Sequence, residues 1–333
     1  MRLWGLLPLS AQWRRGLRGA AAIGAALVLL AGCAGDPDPG SQEGSDGDPG
    51  TTQTDDDAGA PGDEMPQVSA EFGSSAEMTF PDSGAPEGLR VEVLEEGDGE
   101  VVAEEAPVVA DYAGHVWGQA EPFDSSFERG APAMFALSSV VQGWSRGIPG
   151  HPVGSRLLIS IPPELGYGAS GNPDAGIGGE DTIVFVVDVI DTAGPDAAGA
   201  ADATPVAEPE DLPVTIEGEL GSPALLTVRE DAPEPPEATV QVIAEGDGDV
   251  LAPGHTVALA YSVVSWTNEE RDSTWPEHEG SQDGPWVARI GQGQWADLLV
   301  DVPEGSRVLI TMPQGEGAPG VAILTDIILT HGA

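Results

Sequence analysis

The chain has 333 residues, enough for two domains that each bury a core of their own. It carries 12 basic and 56 acidic side chains for a formal charge of −44, and every basic residue is arginine. That balance excludes nucleic acid, whose phosphates need basic partners, and electrostatic docking on anionic lipid; it favours solubility and self-repulsion, so a monomer is expected.

The chain begins with a targeting segment over residues 1–33. Arg2, Arg14, Arg15 and Arg18 make its positive region. Ala20 to Ala31 is a small-residue and apolar stretch, shorter than the ~20 residues a spanning helix needs. It ends at Leu30-Ala31-Gly32-Cys33, which looks like a bacterial lipobox, with cleavage before Cys33 and diacylglycerol on its thiol. The alternative is an ordinary signal peptide with an incidental cysteine. It is the poorer reading, because the chain's sole cysteine stands directly after the small-residue stretch. The reading places the mature protein on the extracytoplasmic face of a bacterial membrane, held by lipid on Cys33, since two or three acyl chains anchor stably without a basic patch. One cysteine also excludes an internal disulfide. His115, His151, His255, His278 and His331 lack metal-ligand spacing, so no metal and no cofactor is expected.

Residues 34–66 are Gly, Pro, Asp, Ser and Thr, with Asp55-Asp56-Asp57 among them. Nothing there buries an apolar face, and like charges extend the segment into a disordered acidic tether.

A first domain is read over residues 67–194. Val68 to Phe80 leads in, and Leu89 to Leu94 alternates in part, as a half-buried strand does. Gly97-Asp98-Gly99 is a turn, Val108 to Trp117 a second strand and Ala133 to Leu137 a third. Ser138 to Gly147 suits a short helix capped by Ser138 or Ser139. Arg156 to Ile161 and Thr182 to Ile190 are the last strands. Many short strands and one helix give an α+β class, an antiparallel sheet wrapped around a short helix.

Residues 195–212 read as a second linker, and residues 213–333 as a diverged copy of the first domain. Val91-Glu92-Val93-Leu94-Glu95-Glu96-Gly97-Asp98-Gly99 returns as Val240-Gln241-Val242-Ile243-Ala244-Glu245-Gly246-Asp247-Gly248. Tyr112 returns as Tyr261, and Asp124-Ser125-Ser126 as Asp272-Ser273-Thr274. Gly154-Ser155-Arg156 returns as Gly305-Ser306-Arg307, and Phe72-Gly73-Ser74 as Leu220-Gly221-Ser222.

In the first copy the pieces Asp111-Tyr112-Ala113-Gly114, Pro122-Phe123-Asp124, Val140-Val141-Gln142-Gly143-Trp144, Leu165-Gly166-Tyr167-Gly168 and the run ending in Phe185 follow in fixed order. Taken singly, these aromatic residues are most often core. Together, over Leu89 to Thr192, the stretch resembles the FKBP-type peptidyl-prolyl cis-trans isomerases. The resemblance implies two FKBP-like domains and an enzyme with no nucleophile, base or metal. It also implies the site. Trp144 would be the floor beneath a prolyl ring, with Tyr112, Phe123, Phe135, Val140, Val141 and Phe185 as walls. The Val141 N–H and the Tyr167 hydroxyl would bond the substrate backbone. Asp124 would sit at the edge on Tyr112, oriented by Arg129, and Ile177 would close over the ring. Ala133 stands where the family often has an aromatic residue, and Gly178-Gly179 where it often has two prolines.

The implied substrates are unfolded or proline-containing exported polypeptides. The second copy has Arg271 where the first has Phe123 and lacks a counterpart of Tyr167, so it is expected to be inactive. A competing reading is a non-catalytic peptide-binding module or holdase chaperone at the cell surface. Tyr167, Asp124 and Trp144 favour the enzyme.

Overall fold

The computed structural model describes residues 62, 64–69, 71–276, 284–313 and 318–332. The targeting segment, Cys33 and nearly all of the expected tether lie outside the described residues. Strands β1 (Gln67–Val68) and β2 (Met78–Thr79) pair antiparallel and belong to a strap. The first sheet follows with β3 (Arg90–Glu95), β4 (Pro107–Val116), β5 (Asp124–Ser125), β6 (Ala133–Ala136), β7 (Arg156–Ile161) and β8 (Ile183–Thr192). Its order is β3-β7-β8-β4-β5, with β6 paired to β4, and every pairing is antiparallel.

β7 is buried at all six positions, and β8 at its first seven. Strands so continuously apolar need cover on both faces. One face packs on α2 (Gln142–Gly147) and forms a core with Leu137, Trp144, Ile148, Leu157 and Ile159. Gly143 makes that approach possible: a Cβ there would stand 2.4 Å from Ile161 Cγ2. The other face is covered by the strap, whose Met78, Val68 and Phe80 pack with Leu158, Val184 and Val186. A buried ion pair pins the strap. Arg156 Nε lies 2.8 Å from Asp188 Oδ1, the Gly73 N–H donates to Asp188 Oδ2 at 2.7 Å, and Arg156 Nη2 donates to the Ser74 carbonyl at 2.6 Å. Burial pushes the Asp188 carboxyl up to about 6, against the pull of the Gly73 N–H and Arg156.

One local expectation is corrected. The stretch 138–147 is not one helix. Leu137–Ser139 is a 3-10 turn, Val140 is extended, and α2 begins after Val141 with no side-chain cap. The β-branched pair breaks the helix and presents itself to the sheet's concave side. A further short helix, α1 (Ser126–Arg129), is present, with Ser125 and Glu128 at capping-box spacing as its signal; Ser125 caps it by accepting from the Glu128 N–H, and Gly130 ends it at φ 74°.

Residues 195–212, expected as a linker, lie against a second sheet. The Trp275 indole N–H donates to the Ala197 carbonyl at 2.8 Å, and the Gly199 N–H to Asp326 Oδ2 at 2.8 Å. β9 (Thr204–Pro205) pairs with the edge of that sheet, and β10 (Val214–Glu217) pairs with β11 (Leu225–Val228) over its outer face. The sheet itself is β12 (Thr239–Glu245), β13 (Thr256–Ser265), β14 (Arg271–Ser273), β15 (Trp286–Arg289), β16 (Arg307–Met312) and β17 (Val321–His331). Its order, β14-β13-β17-β16-β12-β9 with β15 on β13, repeats that of the first sheet and adds β9. The buried pair recurs as Arg307 with Asp326 at 2.7 Å, and Arg307 holds the segment around Ser222 through the Ser222 carbonyl, as Arg156 holds Ser74. The fold is thus mostly antiparallel sheet with few helices.

Candidate active site

Residues two apart on a strand share a face. On β4 that puts Tyr112 and Gly114 toward the concave side of the first sheet. Ser126 Oγ, itself donating to Asp111 Oδ1, accepts the Tyr112 N–H at 2.7 Å and fixes where β4 ends its pairing with β5. Gly114 pairs with Asp124 on one side and Phe185 on the other. A Cβ on Gly114 would meet Phe185 Cε1 at 2.5 Å and Phe123 Cζ at 2.8 Å, so the two rings close over a position only glycine leaves empty. Sequence reasoning quoted Gly114 in its motif and gave it no role; the alternation that puts it on the Tyr112 face was the available signal.

The rings meet edge to face around Trp144. Its indole lies 5.4 Å from Tyr112, 5.3 Å from Phe135 and 5.2 Å from Phe185, and Phe123 lies 5.6 Å from Phe185. This is the arrangement aromatic quadrupoles favour. Together with Asp124, Val140, Val141 and Tyr167 they line a cavity of about 250 Å³. Ser139 lines it too and was missed, since its hydroxyl was assigned to capping a helix that starts later. Ile177 is not among the lining residues, but it is buried in the same core as Tyr112, Trp144 and Phe185, within a loop closed by the Asn172 N–H on the Ile177 carbonyl at 2.8 Å and its reciprocal bond at 3.0 Å.

At the rim, the Tyr112 hydroxyl donates to Asp124 Oδ2 at 2.6 Å. Arg129, from the end of α1, bonds Asp124 Oδ1 and donates to the Tyr112 hydroxyl at 2.8 Å, with its guanidinium carbon 5.3 Å from the Tyr112 ring centroid. Burial first, and then the bond to Asp124, push the Tyr112 phenol up to about 12, so it stays protonated and a donor. Tyr167 is about a third exposed and reaches the cavity from the opposite lip, on the turn after Pro162-Pro163. The cavity therefore joins an apolar floor to a few placed polar groups. Its lining contains neither a histidine nor a cysteine to serve as base or nucleophile.

A family model described as FKBP-type peptidyl-prolyl cis-trans isomerase matches residues 99–190, the stretch that carries β4 to β8. A probable FK506-binding protein of Corynebacterium glutamicum is 37% identical over 116 residues, which are 34% of this chain and 95% of that protein. The FKBP-type isomerase FkpA of Escherichia coli is 39% identical over 121 residues, 36% of this chain and 43% of that one. A crystal structure of Escherichia coli FkpA aligns at 38% identity and a TM-score of 0.30, over 32% of this chain and 48% of that one. The chain spans less than half the length of FkpA. The Corynebacterium relative, matched over nearly its whole length, shows that the chain belongs to the FKBP-type peptidyl-prolyl cis-trans isomerase family. The second sheet lies outside the matched stretch.

Proposed function

We propose that residues 67–194 isomerise Xaa-Pro bonds of exported polypeptides by stabilising a twisted amide in the aromatic cavity. The observation that carries this is the convergence of Tyr112, Phe123, Phe135, Trp144 and Phe185 on one cavity, with Asp124 and Tyr167 at its lips. Amide resonance sets the barrier, about 18–20 kcal/mol, and exchange takes tens to hundreds of seconds without help. Twisting the C–N bond removes that resonance and makes the group less dipolar. A water-poor cleft therefore favours the twisted form over the planar one, and donors placed for the twisted geometry add to the difference. Trp144 lies under the prolyl ring, the Val141 N–H at the head of α2 takes a substrate carbonyl, and Tyr167 takes another. Arg129 holds Asp124 and Tyr112 as one rigid rim.

In this reading the second sheet belongs to a diverged, inactive FKBP-like domain. Register equates Val263 with Gly114 and Ile323 with Phe185, since both pairs face each other across the central strands. Val263, buried at the position of Gly114, carries the side chain that Gly114 lacks. Arg271 replaces Phe123 and turns away to the Leu226 carbonyl at 2.8 Å. Trp275, fully buried, is core. The protein is a lipoprotein anchored through Cys33 on the extracytoplasmic face of the membrane, with the acidic tether as spacer.

The test is protease-coupled or refolding-coupled isomerisation of proline peptides by the full chain. Acceleration that disappears in Trp144→Ala but survives in Val263→Gly supports the reading. Binding of unfolded protein without any acceleration overturns it in favour of a holdase.

A further inference from the structure

We infer that the second sheet is a positioning element for the prolyl cavity, acting through an apolar seam in which Val287 of β15 backs Met134 of β6. The inference rests on the isomerase reading above and adds a role for the half of the chain that the reading leaves without one.

The strand that carries the Phe135 wall has backbone support on one side only. β6 has four residues and hydrogen-bonds one neighbour, β4. So short an edge strand is marginal by itself. Alternation divides its side chains. Phe135, opposite Val108, faces the cavity; Met134, opposite Val109, faces away. A lone sheet would leave Met134 and Val109 in water. Here they are 8% and 6% exposed, in one cluster with Ala258 of the second sheet. Val287 and Leu329 of the second sheet and Ile190 of β8 close around it.

The second side is built the same way. β15 has four residues, and its neighbour β13 presents Ala258 opposite Val287. Its alternate residues, Trp286 and Ala288, turn into the second core, where Trp286 lies 5.4 Å from Trp295. The order through the molecule is therefore cavity, β6, seam, β15 and a packed aromatic core. Two four-residue edge strands are thus packed back to back, each with an aromatic core behind it. Protein interiors are close-packed and transmit displacement, so loss of the seam moves Phe135 relative to Trp144 and Tyr112. Displacement of about 1 Å at a positioning group costs as much as a hundredfold in rate. Met134 and Val287 touch no substrate; they are positioning residues.

The experiment uses the full chain and substitutions on the second sheet. Val287→Arg puts an unpaired charge in the seam, Val287→Ala leaves a gap, and Val287→Ile restores apolar volume. kcat and KM are measured on a short proline peptide, with amide hydrogen exchange across residues 133–136 as a structural readout. The expected result for Val287→Arg and Val287→Ala is a fall in kcat/KM of about fivefold or more, carried mainly by KM, with faster exchange in β6. Val287→Ile is expected to match the parent in both readouts. If Val287→Arg does not fold, Val287→Ala and Met134→Ala decide the matter. Parent-like kcat/KM in folded seam variants overturns the inference while leaving the isomerase reading intact. An inactive parent instead overturns the isomerase reading, and with it this role, whatever the exchange data show.

Discussion

Gly114→Ala is the most direct probe of how the cavity is made. Gly114 is not among the glycines with positive φ, so alanine fits its backbone and the effect is purely one of space. The added Cβ would stand 2.5 Å from Phe185 Cε1 and 2.8 Å from Phe123 Cζ. Carbon atoms settle at about 3.5–4.0 Å, so each ring must retreat by about 1 Å. The two rings meet edge to face at 5.6 Å and the cavity holds about 250 Å³, so the retreat runs into the space where a prolyl ring would sit. Overpacking of this kind costs about 1–3 kcal/mol. Expressed as lost transition-state binding, that is a fall in kcat/KM of about 5- to 160-fold, at 1.36 kcal/mol per factor of ten. The assay is proline-peptide isomerisation, with thermal unfolding alongside to show that the variant is folded. A folded Gly114→Ala with parental kcat/KM would refute the claim that this vacancy shapes the site.

Tyr167→Phe keeps the wall and removes one hydrogen bond of about 0.5–1.5 kcal/mol, so turnover is expected to slow by about tenfold or less; complete loss in a folded variant would point to proton transfer instead. The Tyr112 phenol titrates only near 12, so kcat/KM is expected to stay flat from about pH 6 to pH 9, and a bell-shaped profile in that range contradicts the twisted-amide mechanism. Burial holds the Asp188 carboxyl near 6 in the folded protein, above the unfolded value of about 3.9, so the native state binds that proton more tightly. Its contribution is full below about pH 4 and is lost as pH rises through 6, so the unfolding midpoint is expected to be higher at pH 5 than at pH 7; a lower midpoint at pH 5 counts against it. Cys33→Ser is expected to move the protein from the membrane to the soluble fraction or leave it uncleaved, and normal processing with retained membrane attachment would remove the lipid anchor from the account.

The sequence alone determined the longer strands of the first sheet and the residue types of the cavity; β3, expected to be half-buried, is exposed along its whole length. β7 runs from Arg156 to Ile161 as expected, and β4 and β8 differ from expectation only at their ends. Continuous apolar runs are a local signal, and strands buried on both faces leave them in the chain. The aromatic set was legible for a different reason. Its residues recur in a fixed order, and the cavity brings Tyr112, Phe123, Phe135, Trp144, Tyr167 and Phe185 together.

Tertiary structure decided what depends on contacts between distant segments with no shared local pattern. The strap shows no periodicity that predicts its seat; its place is set by Arg156 and Asp188, buried partners far along the chain. Residues 195–212 have the composition of a linker, yet Trp275 and Asp326 provide hydrogen-bond partners for its backbone. Serine at 138 and 139 reads as a cap until the extended Val140 shows that the chain must first turn into the cavity. The vacancy at Gly114 exists only because two rings from elsewhere converge on it. The same holds for Met134 and Val287. Each is an ordinary apolar residue on a four-residue strand, and only the stacking of two sheets makes them face each other.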